Sequence, residues 1–248
     1  MDLDAAYQKA LDYLYSFVDY SLTRNLRNLP EKFNLERMRA LMQRMGNPQQ
    51  EYPVIHVAGT KGKGSTAAMI AGGLQAAGYR VGFYTSPHLI DFTERIQVNR
   101  QPITKASLVE IVEELKPHIA EIPELTTFEL TTAVGFVYFA RQQVDIAVVE
   151  VGLGGRLDAT NIVTPLVSVI TSISYDHTAV LGKTLTAIAG EKGGIIKPGR
   201  PLVLAPQTVE ACQVLFNLAT EHNAPITQVG KDIIFTAGSH SLAGQSFA

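Results

Sequence analysis

Val54-Ile-His-Val-Ala-Gly-Thr-Lys-Gly-Lys-Gly-Ser-Thr66 decides how this chain folds. It opens as a short apolar run, breaks into a glycine-rich loop with two lysines, and closes on a hydroxyl-rich helix start, the pattern strand–loop–helix. Such a loop aims backbone N–H groups at a phosphate, the helix N-terminus adds positive potential, and a lysine reaches the terminal phosphates. The strict Walker spacing is not met. Val57 stands where that pattern has its first glycine, and Gly62-Lys63 is followed by Gly64 rather than Ser or Thr. The candidate phosphate-binding residues are Thr60, Lys61, Gly62, Lys63, Gly64, Ser65 and Thr66.

Working outward, strands and helices alternate. Apolar positions at helical spacing predict an amphipathic helix over 4–18, and a second over 35–45 with Asn34 as N-cap and Gly46 as stop. After the loop come a helix over 65–77, a strand over 80–84 and an alternating stretch over 94–103 that turns at Asn99-Arg100. Thr104 caps a helix to about 114, and another covers 128–142. Asp145-Ile-Ala-Val-Val-Glu-Val151 is a continuous apolar run of the kind found in parallel strands covered on both faces. Further strands are predicted over 166–173 and 201–205, separated by helices over 185–192 and 209–221. The expected architecture is α/β, a doubly wound, mostly parallel sheet with helices on both faces. Residues 1–235 form that domain, and the small-residue stretch 236–248 reads as a linker with no strand or helix to anchor it.

Bulk properties exclude several classes. Lys+Arg 21 against Asp+Glu 23 offers no general basic surface for nucleic acid or membrane. The single cysteine, Cys212, excludes an internal disulfide or a cysteine-built metal site and fits a reducing compartment. The first residues are polar and acidic, unlike a secretory signal, and no apolar run approaches the ~20 residues of a membrane span. A cytoplasmic monomer without nucleic-acid or membrane partners is expected.

Glu150 is a carboxylate inside an apolar strand, just before Gly152-Leu-Gly-Gly155. Burying it alone costs several kcal/mol unless it is paired or holds a cation. One reading is an ion pair with Arg156; the other is a ligand at a strand's carboxyl end, where open α/β sheets bind ligands. Ser86 and His177 also follow strands, and the three could converge beside the loop to hold Mg²⁺. Alone, Ser86-Pro87 is an ordinary turn start and His177 a solvated loop residue. Lys192 is either a surface lysine in a helix's last turn, a phosphate contact, or a lysine modified by CO₂ to a carbamate, since an ammonium cannot ligate a cation. Thr126 and Thr127 are good helix caps before Phe128 and Glu129, and an exposed Phe128 could stack on a flat heteroaromatic ring.

Taken together, Gly59-Thr-Lys-Gly-Lys-Gly-Ser-Thr66, Tyr84-Thr-Ser-Pro-His-Leu89, the block from Glu150 to Asn161, Asp176-His-Thr178 and Gly190-Glu-Lys-Gly-Gly-Ile195 resemble the folylpolyglutamate synthase/dihydrofolate synthase family of the Mur ligase group. The resemblance implies an ATP-dependent ligase that phosphorylates a carboxylate of folate or dihydropteroate and joins L-glutamate to it. By motif, residues 61–65 hold the ATP phosphates, Lys63 offsets charge in transfer, and Ser86, Glu150 and His177 ligate Mg²⁺. Lys63, His177 and Lys192 are the catalytic candidates, with Lys192 carrying a carbamate. Thr126, Thr127, Phe128, Glu129, Leu157, Asp158 and Ala159 match segments lining the pteroate pocket, and the region around Phe17 to Tyr20 covers it. The family also carries a second, glutamate-binding domain, toward which 236–248 would lead, so weak ATP binding and little ligase activity are expected of these 248 residues alone. The alternatives are a Mur-type ligase acting on a cell-wall precursor and a nucleotide-binding module without catalysis.

Overall fold

The computed structural model describes residues 2–18, 34–242 and 244–248. Asp19 and Tyr20, in the stretch expected to cover the substrate pocket, lie outside the described residues. The chain begins with α1 (Leu3–Tyr15) and α2 (Glu36–Arg44), followed by β1 (Val54–Ala58), α3 (Lys63–Ala76), β2 (Val81–Tyr84), β3 (Ile96–Val98) and β4 (Gln101–Pro102). Then come α4 (Lys105–Ile119), α5 (Thr127–Arg141), β5 (Ile146–Glu150), β6 (Val167–Ile170), α6 (Thr178–Leu181) and α7 (Leu185–Gly193). The last elements are β7 (Leu202–Leu204), α8 (Val209–Glu221), β8 (Ile226–Gln228), β9 (Ala237–Ser241) and β10 (Gly244–Phe247).

Eight strands make one sheet in the order β4-β3-β2-β5-β1-β6-β7-β8. From β2 to β8 every pairing is parallel, and β3 and β4 add an antiparallel edge. Alternation along β1 divides its residues between two sides. Val57 packs with Ala67 and Ala71 of α3, whereas Val54 joins the core built with α1, α2, α4 and α5, and Ala58 joins the cluster of α7 and α8. Helices therefore cover both faces, as the alternation predicts. Helix α5 is buried along nearly its whole length, so it is apolar all round rather than striped.

Several boundaries moved for physical reasons. Helix α4 continues past 114 to Ile119 with Pro117 inside it, because Leu108, Ile111, Val112, Leu115 and Ile119 extend one buried stripe. Strand β6 stops at Ile170 rather than 173, since the backbone beyond it leaves the ladder to bond the phosphate loop. Residues 92–95 form a 3-10 turn ahead of β3, and Asn99 and Arg100 both take positive φ, 49° and 63°, as a tight hairpin turn demands. The short elements α6 and β8 carry too few residues for a periodic signal. The stretch 236–248, expected as an unanchored linker, instead pairs β9 with β10 as an antiparallel hairpin. Its small polar residues alternate without an apolar face, so the pairing is invisible to a hydrophobic pattern.

Candidate active site

The strand order makes the site. β1, β5 and β2 are adjacent and parallel, so the segments leaving their carboxyl ends must meet: the loop after Ala58, the carboxylate of Glu150, and Thr85-Ser86. On the other side of β1, the segment after β6 runs beside the loop. Thr60 N–H donates to Ser172 O at 2.9 Å, Thr60 Oγ1 donates to Ser174 O at 3.1 Å, and Ser174 N–H donates to Thr60 Oγ1 at 3.1 Å. Thr60 is thus a staple between two segments, its hydroxyl spent within the protein. Gly59 is required by contact. A Cβ there would lie 1.9 Å from Thr171 Oγ1, and φ is +143°.

Gly62 takes φ +83° and helix α3 starts at Lys63, two residues earlier than expected. No side chain caps it. Among the described residues, the N–H groups of residues 62–65 have no partner, and the first bond of the turn is Thr66 N–H to Gly62 O. Four free amides at a helix N-terminus form an anion cradle. Lys61 and Ser65 are exposed, and Lys63 and Thr66 half-buried. Gly64 has a steric reason as well. A Cβ on it would stand 3.3 and 3.4 Å from the two Glu150 carboxylate oxygens. The missing Walker hydroxyl makes room for a carboxylate beside the cradle.

Glu150 is 4% exposed. Thr85 Oγ1 donates a short hydrogen bond to its Oε2, and Ser86 N–H donates to the same oxygen at 3.3 Å. The alternative ion pair with Arg156 is not formed, because Arg156 reaches Glu191 at 2.8 Å across the turn instead. Glu150 is left with neutral donors on one oxygen and none on the other among the described residues, which fits a cation. No group of three or more His, Cys, Asp or Glu among those residues surrounds a common point. A divalent ion here would take Glu150, the Ser86 hydroxyl and phosphate oxygens, the sharing that Mg²⁺ favours. The third expected ligand is His177. Its side chain is 54% exposed at the start of α6, in a left-handed conformation, with Asp176 at 3.6 Å.

Lys192 is not a surface lysine. It is 3% exposed, and its Nζ donates to Gly59 O at 2.8 Å, tying α7 to the phosphate loop. Burial, reinforced by the nearby Lys63 charge, lowers its pKa to about 8. The sequence could not separate these cases, since a lysine near a helix end reads alike buried or exposed.

The expected pteroate-pocket residues are largely occupied in holding the structure. Thr126 and Glu129 form a capping box, and Glu129 also pairs with Arg37 at 3.2 Å. Thr127 Oγ1 lies 3.0 Å from both Leu14 O and Phe17 O, closing α1 onto α5. Phe128 is half-buried rather than exposed. It meets Tyr84 edge to face at 6.4 Å, and a Cβ on Gly152 would lie 2.4 Å from its ring tip. Asp158 is buried and accepts from Leu153 N–H at 2.8 Å and Thr160 N–H at 3.0 Å, folding the glycine turn. Burial raises its pKa against those hydrogen bonds. Ala159 is buried next to it and Leu157 half-buried. Thr85, whose hydroxyl holds Glu150, was not singled out in the sequence. Its adjacency to Ser86 in a strand-end loop was the available signal.

Fold and site together define a doubly wound α/β domain with unpartnered helix N-terminal amides beside a buried carboxylate. The Mur ligase middle domain pattern matches residues 57–233. The dihydrofolate synthase/folylpolyglutamate synthase of Bacillus subtilis is 43% identical over 249 residues, covering 98% of this chain and 56% of that protein. The crystal structure of folylpolyglutamate synthase from Thermotoga maritima superposes with a TM-score of 0.87 at 40% identity, over 98% of this chain and 54% of that one. A structure described as an FPGS–AMPPCP–folate complex gives 0.86 at 38% identity, over 97% and 58%. The chain belongs to the Mur ligases, within their folylpolyglutamate synthase/dihydrofolate synthase family. It spans about half the length of the curated relatives it matches.

Proposed function

We propose that this domain is the ATP-binding part of a ligase joining L-glutamate to a carboxylate of folate or dihydropteroate. The observation that carries it is the set of unpartnered amides at residues 62–65 facing the buried Glu150 carboxylate across Gly64. Relatives named for this activity and a neighbour with AMPPCP, an ATP analogue, and folate support the reading. A carboxylate oxygen of the substrate attacks the γ-phosphorus, its bond to ADP breaks, and an acyl phosphate forms. The glutamate amine then displaces phosphate and loses a proton, leaving an amide.

The amides of 62–65, with Lys61 and Lys63, would hold the phosphates and oppose charge that builds on the transferring group. Ser86, Glu150 and His177 would hold Mg²⁺, which when bound neutralises phosphate charge. Lys192 would act beside Lys63. Its depressed pKa favours the neutral amine that CO₂ requires, and the resulting carbamate anion would lie beside an ammonium. Half-buried Phe128 and Leu157 present the apolar surface left for the pterin. Residues 1–235 form the domain in this reading, and 236–248 lead toward the glutamate-binding part. A cytoplasmic monomer acting on small molecules, without nucleic-acid or membrane partners, completes the proposal, and the near-balanced charge leaves no general basic surface for such partners.

Glu150→Gln tests it. ATP affinity without Mg²⁺ should stay within about twofold, while the Mg²⁺-dependent gain disappears, read by calorimetric titration. A variant that kept the full Mg²⁺ response would remove Glu150 from the metal site.

A further inference from the structure

His56 lies at the middle of β1, fully buried, between Val149 of β5 and Ser168 of β6. The reaction above does not use it. Its Nε2 lies 2.9 Å from Thr160 Oγ1. The Thr160 hydroxyl donates a short bond to Asp158 Oδ1, and the other oxygen of Asp158 accepts from Leu153 N–H at 2.8 Å. Because Thr160 gives its only proton to the carboxylate, its oxygen must accept, so Nε2 carries the proton. Nδ1 is then a bare acceptor, and it has no partner. An unmet buried acceptor costs about 1–3 kcal/mol. The Nε2–Thr160 bond is the polar contact that offsets this cost. Burial, with the Lys197 charge nearby, lowers the pKa of His56 to about 3, which keeps the ring a single-proton donor throughout the physiological range.

The chain of bonds ends where it matters. Leu153 lies in the turn that begins two residues after Glu150 and against whose Gly152 the Phe128 ring packs. Thr160 and Asp158 are themselves buried. The rigid centre of the sheet is thereby connected, through three side chains, to a loop with no strand pairing of its own. We propose that His56 is a positioning residue that sets the 152–157 turn, and with it the Phe128 face, for the pterin-bearing substrate while leaving nucleotide binding alone. This rests on the substrate reading given above.

Three variants of this chain test it: His56→Met, which removes the donor at similar volume, His56→Gln, whose amide restores a donor near Nε2, and Thr160→Val, which breaks the chain one link further on if the first does not fold. Amide exchange at Leu153 and the Kd values for ATP and for dihydropteroate and folate are measured on each. The expected result is at least tenfold faster Leu153 exchange and tenfold weaker pterin binding in His56→Met and Thr160→Val, ATP Kd within twofold, and recovery of both in His56→Gln. Unchanged Leu153 exchange, a parallel loss of ATP and pterin binding, or no recovery with Gln would overturn it. Wild-type chain that binds ATP but neither pterin would overturn the substrate reading itself. The Leu153 exchange pattern would still decide whether His56 holds the turn.

Discussion

Gly59→Ala asks whether the phosphate loop is held by close packing or by its amide pattern alone. The added methyl would lie 1.9 Å from Thr171 Oγ1, 3.0 Å from Thr171 Cβ and 3.1 Å from its backbone nitrogen. Thr171 is poorly placed to yield, since its N–H donates to Ala58 O at 2.9 Å and its hydroxyl to the same oxygen at 3.3 Å. Overpacking of this kind costs about 1–3 kcal/mol. Holding a non-glycine residue at φ +143° adds about 1–3 kcal/mol. The total, on the order of 2–6 kcal/mol, is a large share of the ~5–15 kcal/mol of an ordinary domain. Urea unfolding should show a lower midpoint at unchanged slope. Thr171→Ala in the same chain removes the 1.9 Å contact but neither the backbone contact nor the φ. The double variant should therefore regain about 1–3 kcal/mol, a coupling that a double-mutant cycle isolates. A loss below about 1 kcal/mol for Gly59→Ala would refute the packing argument, and a full rescue by Thr171→Ala would show that the backbone is unstrained.

Lys192 and Thr127 carry two further predictions. The folded-state pKa of Lys192, about 8, lies below its ordinary 10.5, so between those values the unfolded chain binds more protons and stability rises with pH. Below pH 8 the burial cost is fully present. Lys192→Met should flatten that rise, by up to about 3 kcal/mol at its top, and urea midpoints at pH 7.5 and 10 that change equally in both proteins would place the charge elsewhere. Thr127→Val removes the single hydroxyl proton that Leu14 O and Phe17 O share, at about 1–3 kcal/mol, and should speed amide exchange in α1 first. Loss spread evenly over the domain would mean that α1 docks by its apolar face alone.

Much of the fold was legible because it rests on local signals. The Ala58–Lys63 break from strand to glycine loop to helix, the apolar run ending at Glu150, and the capping threonines Thr104 and Thr126 each announce their role within a few residues. Those signals end where partners come from distant segments. Glu150 and Arg156 are six residues apart and of opposite charge, yet Arg156 turns to Glu191 on α7. Lys192 reads as a solvated helix end until the sheet places Gly59 O against its ammonium. The hairpin of β9 and β10 has no apolar alternation to betray it.

By itself the amino-acid sequence determined the α/β alternation, the glycine loop between strand and helix and the set of strand-end residues from which a site would be built, since periodicity and turn chemistry act over short range. Only the tertiary structure decided which of those residues meet. The adjacency of β2, β5 and β1 brings Ser86, Glu150 and Gly64 together. The same packing commits Thr126, Thr127, Glu129 and Asp158 to internal bonds, because a buried polar group must find a partner within the protein and no local pattern says which.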